Sequence, residues 1–137
     1  MKINQQLIIG IVISCISSLI ISCLNRQFVK GRSEIVSVSD STLNDSSIFV
    51  GYVYTYSEDT SFLLSINRAQ IWIVNSGINS FSDLNGYYNL KTIPGTYTIR
   101  CQDEGNGWSQ LIEELKNVKI NKNEKIQINF YLGYTIE

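Results

Sequence analysis

From Ile48 onward, apolar residues recur at every second position in short runs, and each run stops at Gly, Asn, Asp or Ser. Ala69-x-Ile71-x-Ile73, Tyr88-x-Leu90, Tyr97-x-Ile99 and Ile126-x-Ile128-x-Phe130-x-Leu132 all keep this period of two. Successive side chains of a strand point to opposite faces, so the pattern describes half-buried strands and not helices. Short β-branched and aromatic runs broken by turn residues predict an all-β sandwich. The expected strands cover 48–56, 69–75, 79–82, 86–91, 95–102, 108–120 and 125–133. Trp108 to Asn117 has two readings, because Leu111, Ile112 and Leu115 have helical spacing and Glu113, Glu114 and Lys116 favour helix.

Two turns are written into the sequence. Asp83-Leu84-Asn85-Gly86 predicts a tight hairpin turn, since Asn and Gly tolerate positive φ. Ile93-Pro94-Gly95 predicts a type II turn, with φ preset at Pro94 and positive at Gly95. The alternation places Ile71, Ile73, Tyr88, Leu90, Tyr97, Ile99, Ile126, Ile128, Phe130 and Leu132 on inward faces.

The 137 residues suffice for one domain with one core. The formal net charge of −1 lacks the basic surplus that nucleic-acid binding requires. The chain has no histidine, which removes Ser-His-Asp and Cys-His catalysis and every histidine-ligated metal site. Of three cysteines, Cys15 and Cys23 belong to the N-terminal apolar run. Cys101 is left alone in the folded part, with neither a disulfide partner nor a Cys-x-x-Cys spacing.

Residues 1–22 read as a signal peptide: Lys2 gives a positive start, and Leu7 to Ile21 is apolar or small, short for a membrane span. Ile20-Ile21-Ser22-Cys23 resembles the bacterial lipobox, which implies diacylglycerol on the Cys23 sulfur and cleavage before it. Val12-Ile13-Ser14-Cys15 is a weaker match with a shorter apolar run. A plain transmembrane anchor is the alternative. Cleavage removes one cation, Lys2, and no anion, leaving a formal charge of −2. Leu24 follows Cys23 where an inner-membrane retention signal would have Asp, so the expected location is the outer membrane of a bacterial envelope. Residues 23–47, rich in Ser, Asn and Asp, read as the lipidated cysteine and a flexible tether. Ile35, Val36 and Val38 could form a short strand within it. Residues 48–137 are the folded domain.

Phe49-x-Gly51-x-Val53, Ala69-x-Ile71-x-Ile73, Ser82-Asp83-x-Asn85-Gly86-Tyr87-Tyr88-x-Leu90, Pro94-Gly95-Thr96-Tyr97-Thr98-Ile99, Asn117-Val118-x-Ile120 and the closing Ile126–Leu132 alternation resemble the carboxypeptidase regulatory-like domain. The resemblance covers about residues 48–133. It implies a seven-stranded Greek-key sandwich of transthyretin (prealbumin) type and a non-enzymatic accessory or recognition role. Related sandwiches carry Lys–Asn isopeptide bonds and place a catalytic acid on the strand after Pro-Gly-Thr-Tyr. The matching position here is Cys101, and Ile48–Tyr56 holds no lysine, so that chemistry is excluded.

The remaining candidates are few. Cys101 shares a face with Tyr97 and Ile99, which suits a buried small hydrophobe better than a nucleophile. Asp83 and Asn85 are explained by the turn, and calcium would need six or more oxygens. Asp103-Glu104-Gly105-Asn106-Gly107 reads as an ordinary mobile turn or a ligand loop. Counting outward positions gives Tyr52, Tyr54 and Trp72, joined into one aromatic strip if strands 48–56 and 69–75 are neighbours. Tyr87 and Tyr131 are outward by the same count. Such a strip suits an envelope protein or a glycan; the alternative is surface aromatics of high β-propensity, or rings covered by the tether.

These features predict a non-catalytic binding or structural lipoprotein, attached to the bilayer through acylated Cys23, with no cofactor, metal or nucleic acid. The alternative is a small hydrolase using carboxylates such as Asp59, Asp83, Asp103 or Glu104, since two carboxylates suffice for glycoside cleavage.

Overall fold

The computed structural model describes residues 28–40, 45–56, 63–103 and 112–135. Cys15, Cys23, Asp59 and Glu104 lie outside the described residues, and with them the expectations they carry. Every regular element among the described residues is a strand, and none is a helix long and apolar enough to cross a membrane.

In chain order the strands are β1 (Phe28–Val29), β2 (Arg32–Asp40), β3 (Ser47–Tyr56), β4 (Leu63–Ser65), β5 (Ala69–Ile73), β6 (Asn79–Phe81), β7 (Tyr87–Thr92), β8 (Gly95–Asp103), β9 (Glu113–Ile120), β10 (Glu124–Leu132) and β11 (Tyr134–Thr135). They form two packed sheets. The first runs β2-β10-β3, and the far side of β3 is shared by β7 and β4. The second runs β6-β5-β8-β9, all antiparallel. The β3–β10 pair is parallel, with Ile126 beside Phe49 and Phe130 beside Val53. β1 and β11 form a small separate pair.

The alternation read from the sequence packs the two sheets together. Phe49, Val53, Tyr88, Leu90, Ile126, Ile128, Phe130 and Leu132 of the first sheet meet Ala69, Ile71, Ile73, Ile99, Cys101, Val118 and Ile120 of the second. Burying one such aliphatic side chain contributes roughly 1.5–3 kcal/mol. Tyr97 is half-buried against this core, its ring edge-on to Phe49 at 6.1 Å between centroids.

Ser82 pins two of the crossings between the sheets. Its buried hydroxyl donates to the Ile66 carbonyl at 2.6 Å and accepts from the Ala69 N–H at 2.9 Å. The chain thus leaves β4 for β5 and leaves β6 for β7 at one shared knot. At the opposite crossing, from β9 to β10, the Ser47 hydroxyl donates to the Asn121 carbonyl at 2.6 Å.

Three expectations need correction. Residues 24–47 were expected as a tether with at most a short strand at Ile35, Val36 and Val38, and the strand there is longer: Arg32–Asp40 form β2, paired antiparallel with β10. Ile35, Val36 and Val38 remain about half exposed on this edge strand, and the register shifts there, so no buried period is written in the segment. The Asp83–Gly86 turn is tight but does not close a hairpin, because β6 and β7 belong to different sheets. Gly86 takes the positive φ (77°), and Asp83 Oδ1 accepts from the N–H groups of Asn85 and Tyr87 at 2.8 and 2.9 Å. Gly95 is not a positive-φ residue but the first residue of β8. Its missing side chain makes room for the Tyr97 ring, whose hydroxyl donates to the Ile93 carbonyl at 2.9 Å. Of the two readings of 108–117, the strand holds over the described residues: Glu113 to Asn117 belong to β9, with Asn117 at φ 57° where the strand bulges against Thr98. The bulge absorbs the residue that broke the period of two.

Candidate functional site

The outward face of the first sheet carries a continuous row of tyrosines. Tyr52, Tyr54 and Tyr56 alternate along β3 and point the same way, about 7 Å apart at the strand rise. The registers add one ring from each side: Tyr87 of β7 opposite Tyr52, and Tyr131 of β10 beside Tyr54. Tyr52 and Tyr54 stack at 6.0 Å between centroids, 19° from parallel. Tyr87 meets Tyr52 edge-on at 5.6 Å, and Tyr131 stacks on Tyr54 at 5.6 Å and on Tyr56 at 6.4 Å.

Polar groups fix the row. Arg32 of β2 lays its guanidinium 4.3 Å from the Tyr131 ring centre. The Tyr131 hydroxyl donates to Glu34 Oε1 at 2.7 Å. Burial, and then the Glu34 carboxylate, push the Tyr131 phenol above its usual range. Asn129 Oδ1 accepts from the Tyr52 N–H at 3.1 Å, tying β3 to β10 under the rings. Tyr131 is nearly enclosed by its neighbours, whereas Tyr87 is 36% exposed and Tyr52, Tyr54 and Tyr56 are half-buried. The face offers ring surface with little freedom left to lose.

Tyr52 and Tyr54 therefore sit together, but Trp72 does not join them. β5 lies in the second sheet, where Trp72 is opposite Asn79 of β6 and Arg100 of β8. Strands 48–56 and 69–75 are not neighbours, because the chain between them returns along β3 as β4 before crossing over. Arg68 makes that crossing at φ 64°. Tyr56 and Arg32 were not foreseen. Tyr56 had a legible signal in the Tyr52-x-Tyr54-x-Tyr56 spacing, while Arg32 was hidden by the tether reading.

The sequence matches no family model and no curated protein. Two solved structures are similar in part. They are crystal structures of an N-terminal and a C-terminal interface mutant of the type II cohesin–X-dockerin complex from Acetivibrio cellulolyticus. Each match covers 63% of this chain and 58% of that chain, at 19% and 20% identity, with a TM-score of 0.47. The chain thus spans less than two thirds of the chains it matches. No family follows from a likeness at that level.

Other chemistry is sparse among the described residues. No cluster of three or more metal-ligating side chains occurs there. The Asp83 carboxylate is engaged by two backbone N–H groups of its own turn. Glu114 is paired with Arg100 and Lys116, which hold its carboxyl below the usual range. Cys101 is fully buried, and burial followed by the nearby Asp103 and Glu113 charges pushes its thiol well up. A buried, strongly protonated thiol is a poor nucleophile.

Proposed function

We propose that the domain is a non-catalytic binding module that meets a protein partner through the tyrosine face of its first sheet. The observation that carries this reading is the unbroken stack of five rings across three strands. Rings already held by one another lose little entropy on binding, and tyrosine is prominent among residues that anchor interfaces. The module is of carboxypeptidase regulatory-like type, serving as a rigid recognition element. It is tethered in a bacterial envelope, at the outer membrane, by acyl chains on Cys23. The lipobox-like Ile20-Ile21-Ser22-Cys23 supports the anchor, and two or more acyl chains make such attachment durable.

A photo-crosslinking residue placed at Tyr87 or Tyr52 of the full chain in cells tests the face. A discrete protein adduct is expected from both sites and not from Lys119 in β9. The same yield from Lys119, or none from the face, overturns the reading. Mass spectrometry of the mature N-terminus tests the anchor. It should begin at an acylated Cys23, and any other start rejects it.

A further inference from the structure

We propose that the outer face of the second sheet carries a carbohydrate site centred on Trp72, separate from the tyrosine face. Trp72 is half-buried on the outward side of β5. Among the described residues it stacks on no other ring and lies beneath no cation. Its β8 neighbour Arg100 is engaged by Glu114. An indole face left without a partner is the first half of a sugar platform.

The second half is the rim. A shallow cavity of about 340 Å³ opens beside Trp72, and Gln70, Asn75, Gly77 and Asn79 contribute to its wall. Three carboxamides and one indole line it together with Ile73, Gly77 and Ile78, and no charged side chain is among the lining residues. A carboxamide both donates and accepts hydrogen bonds, as a sugar hydroxyl does. A pyranose presents a C–H face to the indole and hydroxyls to the rim. A charged ligand would find no counter-charge there, and a wholly apolar one would desolvate three carboxamides without return. The volume is at the lower end for ligand sites, which suits one ring of a neutral glycan at a time.

The hairpin holds this shape rigidly. The β5–β6 turn has Asn75 at φ 61° and Gly77 at φ 74°. The Ser76 hydroxyl donates to the Ile73 carbonyl at 2.8 Å and accepts from the Ile78 N–H at 3.0 Å. Asn79 Nδ2 donates to the Gly77 carbonyl at 3.3 Å. A Cβ built at Gly77 meets nothing within 4 Å, so the space beside the turn is open.

The chain has two tryptophans, so Trp108→Phe leaves Trp72 as the only indole reporter. This variant is screened on an array of neutral hexose and N-acetylhexosamine oligosaccharides, and bound glycans are then titrated by fluorescence to about 10 mM, where weak sites saturate. A saturable change in Trp72 emission is expected. Affinity should fall about tenfold or more in Trp72→Ala, as when an anchoring aromatic is lost. It should fall about threefold or more in Gln70→Ala and Asn79→Ala, which retain the indole. Tyr54→Ala should leave glycan binding unchanged, which separates this site from the protein-binding face. No binding on the array, binding that survives Trp72→Ala in a folded chain, or loss on Tyr54→Ala alone would each overturn the proposal.

Discussion

The Tyr88 hydroxyl donates to the Ile128 carbonyl at 2.8 Å across the intervening strand β3, where Gly51 has no side chain to block it. Tyr88 lies in β7 opposite Gly51, and a Cβ there would approach its ring to 3.1 Å and collide with the Ile128 carbonyl. Gly51→Ala should therefore destabilise by more than about 4 kcal/mol, because backbone cannot yield as a side chain can. Tyr88→Phe keeps the ring and strands one buried carbonyl, at about 1–3 kcal/mol. Urea unfolding of both variants checks the pair. A neutral Gly51→Ala would mean that β3 and β10 do not lie in this register.

Core truncation tests the two sheets independently. Ile99 of β8 and Ile128 of β10 are both wholly buried. Replacing either with Ala should cost roughly 2–5 kcal/mol. Losses below about 0.5 kcal/mol at both, typical of surface positions, would place these side chains on the wrong faces.

Much of this was readable in advance, and the limits have physical causes. Ile71, Ile73, Ile99 and Ile128 were legible because a period of two has only one way to bury itself. The tyrosine pair of β3 was legible for the same reason. The place of Trp72 was not, because alternation gives the face of a strand and says nothing of its sheet. Strand β2 was obscured because an exposed edge needs no apolar period. At Gly95 the sequence pointed to the right residue for the wrong reason: the glycine serves the Tyr97 ring and not a positive φ.

Thr92 tests the cost of an orphaned polar group. Its Oγ1 is buried and hydrogen-bonds to nothing among the described residues. Thr92→Val replaces that hydroxyl with a methyl of similar size, and should stabilise the domain by about 1 kcal/mol. A thermal melt that moves downward would show that the hydroxyl is satisfied.

Alkaline pH should weaken the fold through Cys101 and Tyr88. Burial raises both groups well above their ordinary values of 9.0 and 10.0. The folded state thus holds these protons more tightly than the unfolded chain does. The stability this gives is complete below about pH 9 and is lost as pH rises toward the folded-state values. Denaturant midpoints should decline above pH 9, and less so in Cys101→Ala measured against its own neutral-pH value. Cys101 should also resist thiol reagents until the domain unfolds. Rapid alkylation of the native protein would contradict its burial.

The parallel pairing of β3 with β10 has a consequence for how the chain acquires its shape. β10 is the strand on which both β2 and β3 are laid, yet it is made last among the strands of the two packed sheets. Val53 must wait for Phe130, and Glu34 for Asn129, before the first sheet can close. Contacts so distant along the chain make folding slow and defer it until synthesis has passed Leu132. The growing polypeptide can therefore lay down its second sheet, β6-β5-β8-β9, while the first still stands open and waits for its central strand.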